Sequence, residues 1–216
     1  MTHNKRVMNA ARLYIVATPI GNLEDITLRA LKVLGSVDVV AAEDTRHSRA
    51  LLAHHGIERH LTSLHEHNEE NQSSQLLERL RKGESVALIS DAGTPLVSDP
   101  GYRLVNLAAQ AGIEVVTVPG ASAVTAALSV SGLPTDRFAF EGFLPAKGAA
   151  RRKRLNSLAG EERTLVFYES SHRIEDCLAD MTAILGEARP AAGCRELTKR
   201  FETVLRLSLI HLSEPT

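Results

Sequence analysis

The stretch Asp91-Ala-Gly-Thr-Pro-Leu-Val-Ser-Asp-Pro-Gly101 is the part of this sequence best equipped to hold a small molecule. Gly93 lets another group come close to the backbone, Pro95 and Pro100 stiffen the loop, and Thr94 and Ser98 offer hydroxyls. Asp91 and Asp99 can accept hydrogen bonds from ribose hydroxyls or from an ammonium group. The same residues also suit a long structural turn, with Asp99 capping the helix that follows. Glu43, Asp44 and Arg46 close another apolar run; a carboxylate there can act as general base toward a hydroxyl nucleophile, or simply pair with Arg46. Pro119-Gly120-Ala121-Ser122 is small enough for a flat ring to lie against its backbone, and equally fits an interdomain turn with Ser122 as a helix cap. Lys147, Arg151, Arg152, Lys153 and Arg154 crowd positive charge into one helix start. There they oppose the helix dipole unless an anion neutralises them. A nucleic-acid phosphate is one such anion, and a solvated charged face is the alternative. His65 and His67 alternate as metal ligands sometimes do, but their context is that of solvated loop histidines, and no metal is expected.

These groups must be positioned by elements, and the hydrophobic pattern supplies them. Apolar runs at 12–18, 37–42, 85–90 and 113–118 read as strands, each leading into one of the loops above or into the Thr18-Pro-Ile-Gly-Asn22 loop. Helices are expected over 27–34 with Thr27 as cap, 46–55, 68–81 and 102–111. Beyond Ala121 the pattern continues with helix 122–131, strand 137–143, a basic helix near 149–159, strand 163–168, helix 172–185 and strand 191–197. Strands alternating with helices predict an α/β fold, two α/β domains with a mainly parallel sheet and the ligand cleft between them. In a parallel sheet the four strand-end loops crowd one edge, where such folds bind ligands.

Composition bounds the rest. Hydrophobic residues make up 44% and charged residues 24% of 216, with 4% aromatic and no Trp, so the cores rest on Val, Leu, Ile and Ala. A net charge of −1 excludes a uniformly basic nucleic-acid binder; any such contact is local. Cys177 and Cys194 match no zinc or redox spacing and read as two buried thiols of a reducing compartment. No signal-peptide or membrane-span pattern is present, so a cytoplasmic protein without membrane contact is expected. GxxxxGK[ST], GxGxxG after a strand, and GxSxG are all missing, which removes P-loop phosphoryl transfer, the standard dinucleotide fold and the nucleophile elbow.

Six strings together carry a resemblance: LYIVATPIGNLEDITLRAL at 13–31, AAEDTR at 41–46, LISDAGTPLVSDPGYRLV at 88–105, VTVPGASAVTAAL at 116–128, FEGFLP at 140–145 and FYESSHRI at 167–174. Over residues 12–206 the chain resembles the bacterial small-subunit ribosomal RNA methyltransferases of the tetrapyrrole methylase superfamily. The resemblance implies two α/β domains of tetrapyrrole-methylase type and a homodimer. S-adenosyl-L-methionine is then the cofactor and 16S rRNA of the small ribosomal subunit the partner, methylated on the 2′-oxygen of a cytidine in the decoding region. On that basis Asp91, Ala92, Gly93, Thr94, Pro95 and Ser98 match the cofactor loop, and Pro119, Gly120, Ala121 and Ser122 the cofactor-contacting junction. Pro19, Gly21 and Asn22 would close the cleft, and Phe167, Tyr168, Glu169 and Ser170 would line its second wall. Glu43, Asp44 and Arg46 would face the substrate, with Asp44 as candidate base; Lys147, Arg151, Arg152, Lys153 and Arg154 would meet RNA phosphates. Relatives in the superfamily methylate a macrocycle or a protein side chain instead, and a non-catalytic RNA-binding fragment is the alternative of another class. The expected organisation is a disordered segment 1–11, an N-terminal domain 12–120 and a C-terminal domain 121–216. The last of these is expected to be truncated, because the residues from 207 depart from the family pattern.

Overall fold

Val39–Ala42 and Val86–Ile89 carry no polar residue at all, the pattern of strands covered on both faces. In the computed structural model, which describes residues 11–213, these strands lie side by side in the middle of a five-stranded parallel sheet. The described residues divide into two compact units that meet at Ser122 and Ala123. In the first unit the order of elements is β1 (Arg12–Val16), α1 (Leu28–Leu34), β2 (Val39–Ala42), α2 (Thr45–His54), β3 (His60–Ser63), α3 (Glu69–Arg81), β4 (Val86–Ile89), α4 (Tyr102–Gln110) and β5 (Glu114–Val118). The strand order is β3-β2-β4-β1-β5.

Side chains alternate across a strand, so each strand feeds two cores. Val39, Ala41, Val86, Leu88 and Leu13 point to one face, where Leu76 and Leu80 of α3 and Leu104 and Ala108 of α4 cover them. Val40, Ala42, Ala87, Ile89 and Val16 point to the other, beneath Ala30 and Leu34 of α1 and Leu52 of α2. Complete burial of leucines such as Leu13, Leu76, Leu80, Leu88 and Leu104 stabilises the unit by roughly 1.5–3 kcal/mol each. Handedness explains the segregation. The chain moves from β1 to β2 to β3 in one direction and from β3 to β4 to β5 in the other, and right-handed crossovers then place the two helix pairs on opposite faces.

One consequence positions the site. β1 and β4 are neighbours, yet the connection after β1 leaves toward α1 on one face and that after β4 toward α4 on the other. Their carboxyl ends therefore flank a crevice of the kind that holds ligands in open α/β sheets.

The second unit holds α5 (Ala123–Ser131), β6 (Phe138–Phe143), α6 (Gly148–Leu158), β7 (Thr164–Tyr168), α7 (Ile174–Leu185), β8 (Pro190–Arg195), β9 (Thr203–Ser208) and α8 (Leu209–Ser213). β6 and β7 pair in parallel with an irregularity between Phe140 and Gly142, whereas β8 and β9 form an antiparallel hairpin. Leu144, Leu155, Cys177, Met181 and Leu209 form its core.

Several expectations are corrected. Asp99 does not cap α4: the cap position is Gly101, which has no side chain, and the Glu69 carboxylate of α3 accepts from the Gly101 and Arg103 amides at 2.9 and 3.0 Å instead. β3, β9 and α8 were not expected from the sequence. The strand expected at 191–197 ends at Arg195, and the residues from 207 finish β9 and form α8, with Leu209 buried. Cys194 is only half-buried, and both cysteines are free thiols. The segment 1–11, expected to be disordered, lies outside the described residues except for Ala11.

Gly101 tests how tightly the loop after β4 is built. Its φ is +125°, and a Cβ there would stand 2.5 Å from Leu88 Cδ2 in the core. Gly101→Ala is expected to lower the stability of the first unit by about 2–4 kcal/mol, from strain and overpacking together. Gly112→Ala, at φ +71° in open space, is expected to cost about 1–2 kcal/mol from backbone strain alone. Urea unfolding of the two variants measures the difference, and equal losses would contradict the packing argument.

Candidate active site on the carboxyl edge of the parallel sheet

Parallel pairing brings the four strand-end loops to one edge, and backbone bonds then tie them to one another. Thr18 and Gly93 form a two-way bridge: the Thr18 amide donates to Gly93 O at 2.9 Å and the Gly93 amide to Thr18 O at 3.0 Å. Thr18 Oγ1, buried, donates to Ser90 O at 3.1 Å. The Ala17 amide donates to Val118 O at 3.1 Å, and Thr94 Oγ1 donates to Ala121 O at 3.2 Å, which joins the loop after β5 to the other two. On the far side the Asp44 amide donates to Asp91 Oδ1 at 3.0 Å. Pro19, Gly21, Asn22, Asp91–Pro95, Ser98 and Pro119–Ser122 thus belong to one continuous rim, with Glu43, Asp44 and Arg46 at its end.

The rim is conformationally demanding. Gly93 has φ +84°, and a Cβ there would meet Ile20 Cγ2 at 3.4 Å. Leu96 and Ser98 adopt left-handed φ values of 72° and 65° without the freedom of glycine. Such residues persist only where their surroundings impose them, and they concentrate at ligand sites. Gly120 sits so near β1 that a Cβ would lie 3.1 Å from Ala17 Cβ. Asn22 serves the rim locally, accepting from the Glu24 amide at 3.1 Å to cap the 3-10 turn Leu23–Asp25.

The carboxylates of this edge fall into two kinds. Asp44 caps α2, accepting from the Arg46 amide at 2.8 Å and from the Arg46 guanidinium at 2.8 Å. Those bonds, the Arg46 side chain first, hold its carboxyl well below the usual carboxylate range. Glu43 lacks such support. Burial, and then the charges of Asp99, Asp91, Glu66 and Asp44, push its carboxyl up. Asp99 is also raised, chiefly by burial and against the effect of a hydrogen bond with Ser90. A half-buried edge rich in carboxylates and short of cations accepts hydroxyl donors and favours a positively charged ligand group.

The residues singled out beyond Ala123 belong to the second unit. Phe167 packs on that unit's core. Tyr168 meets Phe140 and Phe143 edge-on or tilted at centroid distances of 5.0 and 5.5 Å. Glu169 is buried, accepts from the Ser170 amide at 2.8 Å and pairs with Arg173 at 3.2 Å. The anion that the basic helix requires is largely internal. Arg151 is buried and bonds Asp180 of α7 at 2.6 Å, Arg152 approaches the same carboxylate at 3.4 Å, and Arg154 pairs with Glu141 of β6. Among the described residues only Lys147 and Lys153 of this cluster stand without an acidic partner. Sequence reasoning missed Asp180 and Glu141 as these partners and Glu69 as the cap of α4; nothing local in the sequence signals pairings made across elements. No group of His, Cys, Asp and Glu among the described residues is arranged to hold a metal ion, and no described helix is long and apolar enough to cross a membrane.

The sheet order, the left-handed loop after β4 and the bonded rim define an α/β protein with its candidate site at the strand ends. A family model for Tetrapyrrole (Corrin/Porphyrin) Methylases matches residues 12–212, and the chain belongs to that family. A curated relative, the Ribosomal RNA small subunit methyltransferase I of Xylella fastidiosa (strain Temecula1), is 62% identical over 193 residues, which are 89% of this chain and 71% of that protein. Among solved structures, diphthine synthase superposes with TM-score 0.71 at 19% identity, covering 94% of this chain and 84% of that one. Uroporphyrin-III C-methyl transferase from Thermus thermophilus complexed with S-adenyl homocysteine gives 0.63 at 22%, covering 94% and 90%.

The raised carboxyls carry a sign. A carboxyl whose folded pKa lies above its unfolded value, about 4, contributes stability that is fully present below the unfolded pKa and lost as pH rises through the folded one. Glu43→Gln and Asp99→Asn are therefore expected to raise stability at pH 7 relative to the parent, with the gain shrinking toward pH 4. Urea titrations at the two pH values measure this; a gain independent of pH would show that ionisation is not its cause.

Proposed function

We propose that this chain is an S-adenosyl-L-methionine-dependent methyltransferase that methylates a ribose 2′-oxygen of small-subunit ribosomal RNA, a cytidine of the 16S decoding region. The observation that carries the reading is the identity of 62% over 193 residues with a ribosomal RNA small subunit methyltransferase I. The sheet edge supports it, because its donor set suits this cofactor. Asp91 and Asp99 would accept from ribose hydroxyls or face a cationic group, Gly120 lies too close to Ala17 for a side chain, and Gly93 at φ +84° leaves the backbone bare. The cofactor, when bound, supplies a methyl group made electrophilic by a sulfonium. Its positive charge matches the half-buried carboxylates.

The protein's own part is alignment and proton removal. A 2′-hydroxyl must lose its proton as oxygen attacks the methyl carbon, so a base within reach accelerates transfer. Asp44 is poorly suited, since its capping and ion-pair bonds hold the carboxyl far below the ordinary range. Glu43, one residue earlier and raised by burial, is the better base, and Arg46 with Asp44 fixes the start of α2 beside it. Holding oxygen, carbon and sulfur in line supplies much of the remaining rate. The same reading assigns a homodimer in the cytoplasm. Of the basic cluster it leaves Lys147 and Lys153, with Arg152 at its edge, for RNA phosphates.

Transfer of labelled methyl to undermethylated small ribosomal subunits, followed by nuclease mapping, tests the function. Label in a 2′-O-methylcytidine of the decoding region is the expected result; cofactor binding with no rRNA labelling would refute the substrate. For the base, Glu43→Gln is expected to lower kcat by about 100-fold or more with the cofactor still bound at saturation. Asp44→Asn is expected to lose stability more than kcat. Full activity in Glu43→Gln would leave alignment alone as the catalytic device.

A further inference from the structure

The turn between β8 and β9, Glu196–Glu202, has a geometry that its length alone does not require. Two non-glycine residues, Glu196 and Thr198, hold left-handed φ values of 54° and 67°. The turn is closed by Lys199 N donating to Glu196 O at 2.9 Å and Glu202 N donating to Lys199 O at 3.1 Å. Its acids are engaged within it: Glu202 Oε2 accepts from the Thr198 amide at 2.6 Å, and Glu196 pairs with Lys199 at 3.2 Å. What this frame presents outward is Arg200 and Phe201. Phe201 is 70% exposed, and the Arg200 guanidinium lies 5.5 Å from its ring centroid. Arg200 and the neighbouring exposed Arg195 have no acidic partner among the described residues. Of the other exposed phenylalanines of this unit, Phe138 and Phe143, the more exposed Phe143 is tilted against Tyr168.

An aromatic ring held in water on a strained, self-bonded turn is unfavourable unless something covers it. The cation beside it, with the local carboxylates already engaged, selects an anionic occupant that also has a flat apolar face. Unpaired nucleotides have both, and proteins that grip single-stranded RNA stack its bases on aromatic rings while arginine meets the phosphate. We propose that the β8–β9 turn is an RNA-contacting finger, in which Phe201 stacks on an unpaired base of the substrate RNA and Arg200 contacts the adjoining phosphate. This inference rests on the rRNA reading above and adds to it a binding element far in sequence from the sheet-edge loops and from the basic helix.

The test uses the full chain, with small-subunit ribosomal RNA lacking the modification as both substrate and binding probe. Phe201→Ala is expected to raise KM and Kd for that RNA roughly tenfold, with kcat at saturation, cofactor affinity and unfolding midpoint unchanged, and Phe201→Tyr is expected to restore binding. Arg200→Ala is expected to weaken binding and reduce the salt dependence of log Kd by about 0.7. Wild-type methylation of rRNA with unaltered KM in both variants would overturn the finger while leaving the function standing. RNA binding through Phe201 by a protein that transfers no methyl to it would keep the finger and remove the function. A change in association state on light scattering, without loss of RNA affinity, would make Phe201 a contact between copies of the chain and also overturn the proposal.

Discussion

The two hydrogen bonds between Thr18 and Gly93 are the constraint on which the rest of the site depends. β1 and β4 lie next to each other, but right-handed crossovers send their continuations to opposite faces of the sheet, so the loops diverge where the strands end. The bridge holds the loop bases together two residues beyond β1 and four beyond β4, and fixes the width of the crevice. It requires a glycine, because the partner of Thr18 must turn back at φ +84° beside Ile20. Thr18 in turn is buried, so its hydroxyl must be satisfied, and Ser90 O accepts from it. The other loops hang from this pair. Ala17 reaches Val118 on one side, and Asp91, two residues before Gly93, accepts from Asp44 on the other.

What the sequence revealed follows from which interactions are local. β2 and β4 were legible because strands covered on both faces must be apolar throughout, β1 and β5 because apolar residues still dominate them, and their loops because Gly, Pro and Asp cluster at the strand ends. β3 was not, since His60–Ser63 is a short edge strand with a polar composition, held by parallel pairing to β2 rather than by its own pattern. The cap of α4 was misassigned for a related reason. Asp99 lies at the right distance along the chain, but Gly101 adopts a φ of +125° that turns the helix start toward α3, where Glu69 supplies the acceptor. The hairpin β8–β9 was half seen. Pro190–Arg195 has strand composition, while the turn that ends it is set by side-chain bonds across four residues.

The basic helix shows the same limit in electrostatic form. Five cations at a helix start demand counter-charge, and the sequence alone makes that demand visible without saying where the charge comes from. Asp180 and Glu141, 29 and 13 residues away, provide it for three arginines. Burial decides the matter for Arg151: a guanidinium with 7% of its side chain exposed cannot reach a polymer outside, and its bond to Asp180 joins α6 to α7 across a core of Leu155, Cys177 and Met181. A basic run thus measures the demand for anions, and only the fold divides that demand between structure and ligand.

Glu43 and Asp44 make the converse point, because adjacent carboxylates are driven in opposite directions by one turn of chain. Asp44 faces the start of α2, where amide, guanidinium and cap geometry all favour its ionised form. Glu43 faces the sheet edge, where burial and four neighbouring acids all oppose it. The charge repulsion that raises Glu43 comes from Asp99, Asp91, Glu66 and Asp44, and under the methyltransferase reading Asp99 and Asp91 would also meet a cationic ligand group. A positive ligand there would offset the repulsion and favour the ionised, proton-accepting form of Glu43. Under the methyltransferase reading the cost of crowding acids at this edge is therefore offset on binding, and the same acids that destabilise the free protein couple cofactor binding to proton transfer.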